Sequence, residues 1–187
     1  MLADEVKKAV EVMRQGGVIL YPTDTIWGIG CDATNEAAVR KVFEIKRREE
    51  AKSMISLVDS ADRLSRYVRN VPDVAWDMIE MSTKPLTVIL DNVSGLAPSM
   101  IAEDGSAGFR VTSEEFSHEL CFRFQKPVVS TSANISGEPT AKTFDAISDE
   151  IKNAVDYVVK YSQRCKEKHE PSSIIKISEN SEIKIIR

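Results

Sequence analysis

The chain has 187 residues, 42% of them hydrophobic and 29% charged, with a net charge of −4. That length suits one domain over residues 1–187, and the composition excludes a disordered or fibrous chain. The acidic balance argues against a general nucleic-acid binder, while the absence of a long apolar run or a signal-like start predicts a cytoplasmic protein with no membrane attachment.

Apolar spacing predicts a helix over 4–15, closed by Gly16-Gly17, and a strand over 18–21 that Pro22 breaks. Thr34 or Asn35 caps a helix running to about Arg47. A strand over 53–58 precedes helices over 60–67 and 72–81. Strands follow over 86–90 and 106–111. Thr112-Ser113-Glu114-Glu115 fits a capping box for a helix through Phe124, with Phe116, Leu120 and Phe124 inward. Residues 128–131 read as a strand, 143–155 as a helix and 162–171 as a loop. The alternating stretches 173–177 and 183–186 form a terminal hairpin. The whole predicts an α/β fold: a twisted, mixed sheet, parallel and antiparallel, with flanking helices.

Three polar constellations stand at element ends. Ser130-Thr131-Ser132-Ala133-Asn134-Ile135-Ser136-Gly137 follows the apolar Val128-Val129, where open α/β sheets bind ligands. Tyr21-Pro22-Thr23-Asp24-Thr25 follows Val18-Ile19-Leu20, and Lys46-Arg47-Arg48 closes the next helix. From Arg40 to Lys52 six basic residues face three acids, a local excess of +3. Lysine beside arginine suits phosphate, one as a point charge and the other as a planar fork. As last-turn cations alone, each offsets the helix dipole by only ~0.3–1 kcal/mol. Arg110 ends a buried strand and needs an anion or a carboxylate to meet it.

Other chemistries fit less well. Gly28-Ile29-Gly30-Cys31-Asp32-Ala33 has dinucleotide-fingerprint spacing, but Pro22 to Trp27 separate it from the strand it should follow directly. No P-loop sequence occurs. Ser130 and Ser132 lack a GxSxG elbow, and neither His118 nor His169 is placed as a base. Cys31, Cys121 and Cys165 are scattered, so no structural zinc site is expected and a reducing compartment fits.

Taken in order, the Tyr21–Thr25 loop, Gly28 to Ala33, Lys46-Arg47-Arg48, Pro85-Leu86-Thr87-Val88-Ile89-Leu90, Phe109-Arg110-Val111 and Ser132 to Gly137 resemble the YrdC/Sua5 family of threonylcarbamoyl-AMP synthases. The resemblance implies a sheet folded around a positively lined cavity. It also implies formation of L-threonylcarbamoyladenylate and pyrophosphate from L-threonine, bicarbonate or CO2, and ATP. The threonylcarbamoyl group would then pass, with transfer proteins, to adenosine 37 of tRNA. By the same resemblance Lys46 and Arg48 grip phosphate and carry catalysis. Ser106, Ser132, Asn134 and Arg187 face ATP; Thr25, Arg110, Ser130 and Ser173 face threonine. Mg2+ arrives with ATP rather than on a protein motif, and Asp24 is either a helper in catalysis or a loop cap.

The sequence also departs from that pattern. The expected proline after KxR is absent, Thr83-Lys84-Pro85-Leu86-Thr87 lacks a glycine, and Lys176 stands where an acid is common. The chain stops at Arg187, without the extra domain of the longer Sua5 form. These differences admit an alternative: a YciO-like paralogue that binds RNA or nucleotide without synthase activity.

Overall fold

The computed structural model describes residues 1–47, 54–163 and 171–187. Among them nine strands form one sheet: β1 (Ile19–Tyr21), β2 (Gly28–Gly30), β3 (Ile55–Val58), β4 (Leu86–Leu90), β5 (Ala107–Val111), β6 (Val128–Ser132), β7 (Tyr157–Val158), β8 (Ser173–Ile177) and β9 (Ile183–Ile185). Their order is β7-β1-β2-β6-β3-β5-β4-β8-β9. β3 runs parallel to β5 and antiparallel to β6, and β4 runs parallel to β8, so the sheet is mixed as the element order predicts.

The helices arise where their periodicity indicates. α1 (Leu2–Arg14) buries Val6, Ala9, Val10 and Met13 on one face. α4 (Glu115–Phe124) buries Phe116, Leu120 and Phe124 and packs on α1 and β3. Its N-cap is Glu114 rather than Thr112: the Glu114 carboxylate accepts from Phe116 N at 3.0 Å and Ser117 N at 2.7 Å. A carboxylate there also meets the positive end of the helix dipole. Thr112 instead shares a hydrogen bond of 2.7 Å with the Ser117 hydroxyl.

α2 (Glu36–Lys46) starts on Asn35, whose side chain accepts from Ala38 N, and stops at Arg47, where φ is +50°. That left-handed residue turns the chain sharply and leaves Lys46 as the last helical position. α3 (Asp73–Met81) follows Pro72, while residues Ala61–Arg66 form a 3-10 helix. The helix expected over 143–155 is broken. A 3-10 turn at Phe144–Ala146 precedes α5 (Asp149–Ala154), because buried Ile147 is extended and Ser148 supplies a fresh cap to Ile151 N.

β2 is an element the hydrophobic pattern does not announce. Its two glycines are in the middle of the sheet, between β1 and β6, and not in a phosphate-binding turn. A Cβ on Gly30 would fall 2.4 Å from the Val129 carbonyl oxygen and 2.5 Å from the Tyr21 ring. The ring occupies the space a side chain would need, and its hydroxyl donates to the Val129 carbonyl at 2.9 Å. The terminal hairpin forms as expected, with Ile175 opposite Ile185 and Ile177 opposite Ile183.

Side-chain alternation gives the sheet a polar face at its centre. Gly108 and Arg110 of β5 lie opposite Ile55 and Leu57 of β3, and Ile55 lies opposite Ser130 of β6. Gly108 contributes no side chain there, and the Ile55 side chain takes up the space, a Cβ on Gly108 falling 3.1 Å from Ile55 Cγ2.

Candidate active site

A cleft of about 330 Å3 opens where β6 ends and β2, β3 and β8 begin. Its wall takes Thr25 from the β1–β2 loop, Ile55 from β3, Thr87 from β4, Arg110 from β5, Ser130 and Ser132 from β6, and Arg187 beyond β9. Thr140 and Lys142 enter from the segment after β6, and Ser172 from the residue before β8. The described lining thus has three basic residues and no acidic one.

Arg110 is the buried centre of the site. Its guanidinium pairs with Asp24 at 2.9 Å, both side chains being almost fully enclosed. Asp24 is therefore the carboxylate that strand-ending Arg110 needs. Arg110 Nη2 also donates to Thr25 Oγ1 at 3.3 Å, and Thr25 Oγ1 shares a hydrogen bond of 3.2 Å with the Thr23 hydroxyl. Thr23 in turn donates to the Ile26 carbonyl at 2.7 Å, which fixes the loop. Arg110 Nε is buried and has no hydrogen-bond partner among the described residues. A buried orphan donor is costly unless a ligand or water meets it. Burial pushes the Tyr21 phenol beneath this network well above its ordinary value, so it stays a neutral donor.

Lys46 has a different place from the one its motif implies. Its side chain is almost wholly buried and is absent from the cleft wall. Its Nζ donates to the carbonyls of Ser132 at 2.5 Å and Asn134 at 2.7 Å, with the Ser132 hydroxyl at 3.5 Å. An ammonium has three donors, and here they tie the end of α2 to the loop after β6. The Ser136 backbone N–H adds a bond of 2.9 Å to the Lys46 carbonyl. Asn134 also works on this loop: its Nδ2 donates to the carbonyls of Ile135 and Glu138, and its buried Oδ1 has no hydrogen-bond partner among the described residues. Arg48 lies outside the described residues.

Ser106 is held away from the cleft wall. Its hydroxyl donates to Asp104 at 2.6 Å, and Lys176 reaches the other Asp104 oxygen at 2.6 Å. The Lys176 ammonium, helped by Ser106, holds the Asp104 carboxyl down at about 2. Ser173 is exposed, and it is Ser172 that lines the cleft, its hydroxyl 2.9 Å from that of Thr87. Arg187 reaches the wall through the hairpin: its backbone pairs with Ile174, and its guanidinium donates to the Ser172 carbonyl at 3.1 and 3.3 Å. His118 is exposed on α4 and not part of the wall, so it stands as no base for Ser130 or Ser132.

Thr25, Arg110, Ser130, Ser132 and Arg187 thus converge on one cleft, whereas Lys46, Asn134, Ser106 and Ser173 do not line it. Thr140, Lys142 and Ser172 line the cleft and escape sequence reasoning, and Thr87 lines it from a block singled out only as a strand. Thr140 and Lys142 lie only a few residues past the Ser132–Gly137 motif, which is the one signal that points to them.

A family model for the Sua5/YciO/YrdC group, described as telomere recombination, matches residues 11–187. A protein of Xanthomonas euvesicatoria pv. vesicatoria named threonylcarbamoyl-AMP synthase is 36% identical, over 83% of this chain and 84% of its own length. The crystal structure of P. abyssi Sua5 complexed with L-threonine superposes with a TM-score of 0.81 at 22% identity, over 91% of this chain; the present chain spans about half of that one, 50%. The crystal structure of E. coli YciO gives a TM-score of 0.85 at 23% identity, over 100% of this chain and 89% of the other.

Proposed function

Because this chain belongs to the Sua5/YciO/YrdC family, we propose that its cleft joins L-threonine, bicarbonate or CO2, and ATP into L-threonylcarbamoyladenylate and pyrophosphate, as a nucleotidyltransferase. One observation carries this reading: among the described residues, a cleft wall of hydroxyls with three basic residues and no acid, suited to polyanions. The synthase name borne by relatives such as that of Xanthomonas favours catalysis over a paralogue that only binds RNA or nucleotide.

Arg110 and Thr25 form the threonine end, with the unpartnered Arg110 Nε available to the amino acid's carboxylate. Ser130 lines the same cleft and is assigned to threonine, and Ser132, also on the wall, is assigned to the nucleotide. The threonine amine adds to CO2 and gives up a proton to solvent. A carbamate oxygen then forms a bond to the α-phosphorus as the bond to the bridging oxygen breaks, and pyrophosphate leaves with the electron pair. These reactants are mutually repelling anions, so the protein's part is alignment and charge neutralisation. Lys46 and Asn134 serve by holding the loop that carries Ser132. Magnesium is proposed to enter on the ATP phosphates, since the described wall offers no carboxylate. The product is passed to transfer proteins and tRNA in the cytoplasm; no helix among the described residues is long and apolar enough to cross a membrane.

The decisive experiment needs no RNA. Protein, ATP, magnesium and bicarbonate are incubated with and without L-threonine, and pyrophosphate is followed. Threonine-dependent release is expected; release that is absent, or indifferent to threonine, overturns the synthase reading.

A further inference from the structure

Lys142 is the cleft-wall cation that no motif marks. It is exposed, and no hydrogen bond or ion pair engages its ammonium among the described residues. Its backbone is nevertheless held on both sides. Ala141 is buried in the core, and the Phe144 ring packs on Trp27 with centroids 4.8 Å apart. Trp27 lies between the cleft residues Ile26 and Gly28, so the segment bearing Lys142 is fastened to the wall it serves. Lys152 Nζ sits over the same Phe144 ring, 4.8 Å from its centroid.

Two other cations of this region are committed. Arg110 is paired with Asp24, and the Lys46 ammonium is spent on the carbonyls of Ser132 and Asn134. Among the described residues the Arg187 side chain donates only to a neutral carbonyl and keeps its charge uncompensated by that contact. We propose that Lys142, with Arg187, holds the β- and γ-phosphates of ATP and then the departing pyrophosphate. This assignment rests on the nucleotide reading above. As the bond from the α-phosphorus to the bridging oxygen breaks, the electron pair and its negative charge move onto pyrophosphate. A cation at that place is favoured more in the transition state than in the bound substrate.

Calorimetric titration of ATP, AMP and inorganic pyrophosphate into wild type, Lys142→Gln and Lys142→Arg tests the assignment, with thermal melts alongside. Lys142→Gln should weaken ATP and pyrophosphate about 10- to 100-fold, the range of one hydrogen bond to a charged group, and AMP by less than about twofold. Lys142→Arg should bind all three nearly as wild type, and neither variant should melt earlier. Equal weakening of AMP and ATP, no weakening of either, or a wild type that binds no pyrophosphate would overturn the proposal. A wild type whose ATP binding depends on Lys142, yet which releases no pyrophosphate with threonine and bicarbonate, would leave this assignment standing and remove the synthase reading.

Discussion

Lys46 illustrates how one residue changes meaning between motif and structure. As the last helical residue of α2 it reads as a phosphate cation, whose loss from a solvated helix end would cost only ~0.3–1 kcal/mol of stability. Buried, with its ammonium on two carbonyls, it is a joint between α2 and the loop after β6. Lys46→Met keeps most of the volume and removes the donors, stranding two acceptors. Stability should therefore fall by about 2–4 kcal/mol, with each orphaned group contributing about 1–3. ATP turnover should fall with it as Ser132 loses its support. Urea denaturation and steady-state kinetics on the same preparation give both numbers. Unchanged stability with turnover abolished would make Lys46 a phosphate ligand instead.

Among the elements, β2 shows why a site can depend on a strand with no apolar signature. Three residues, two of them glycine, carry no usable alternation, yet they bridge β1 to β6 and set Gly28 opposite Ser132. Gly30 is needed because the Tyr21 ring and the Val129 carbonyl come within 2.5 Å of where its Cβ would be. Gly30→Ala must displace one of them, and over-packing of this kind costs about 1–3 kcal/mol. Both clashing groups are inside the core under Arg110 and Ser130, so the variant should also raise the Michaelis constant for threonine. A melt and a threonine titration check this; a variant with unchanged melting temperature would show that the sheet yields there freely. The broken helix over 143–155 is a similar case. Helical spacing continues across Ile147 and Ser148, but burying Ile147 in an extended conformation and capping from Ser148 wins locally.

At the scale of the molecule, the cleft is assembled from residues as far apart in sequence as Thr25 and Arg187. The sheet order makes this possible: β8 joins β4 in parallel, and β9 then brings the chain's last residues alongside Ile174. Arg187→Ala should raise the Michaelis constant for ATP several-fold, consistent with losing one partly solvated contact worth about 1 kcal/mol. Its melting temperature should barely change, because the backbone bonds to Ile174 remain. Kinetics identical to wild type would remove Arg187 from the site.

Local patterning by itself determined most of the helices, the strands of β4, β5, β6 and the hairpin, and the mixed α/β class, because apolar period and caps act over a few residues. It also picked out Thr25, Arg110, Ser130 and Ser132, since polar groups directly behind buried strands have few other uses. Tertiary structure alone decided that Asp24 neutralises Arg110, that Lys46 supports a loop, that Asp104 captures Ser106 and that Ser172 rather than Ser173 meets the cleft. Each of those outcomes depends on which distant partner lies within hydrogen-bond reach. That distance is fixed by strand order and register, which no short stretch of sequence contains.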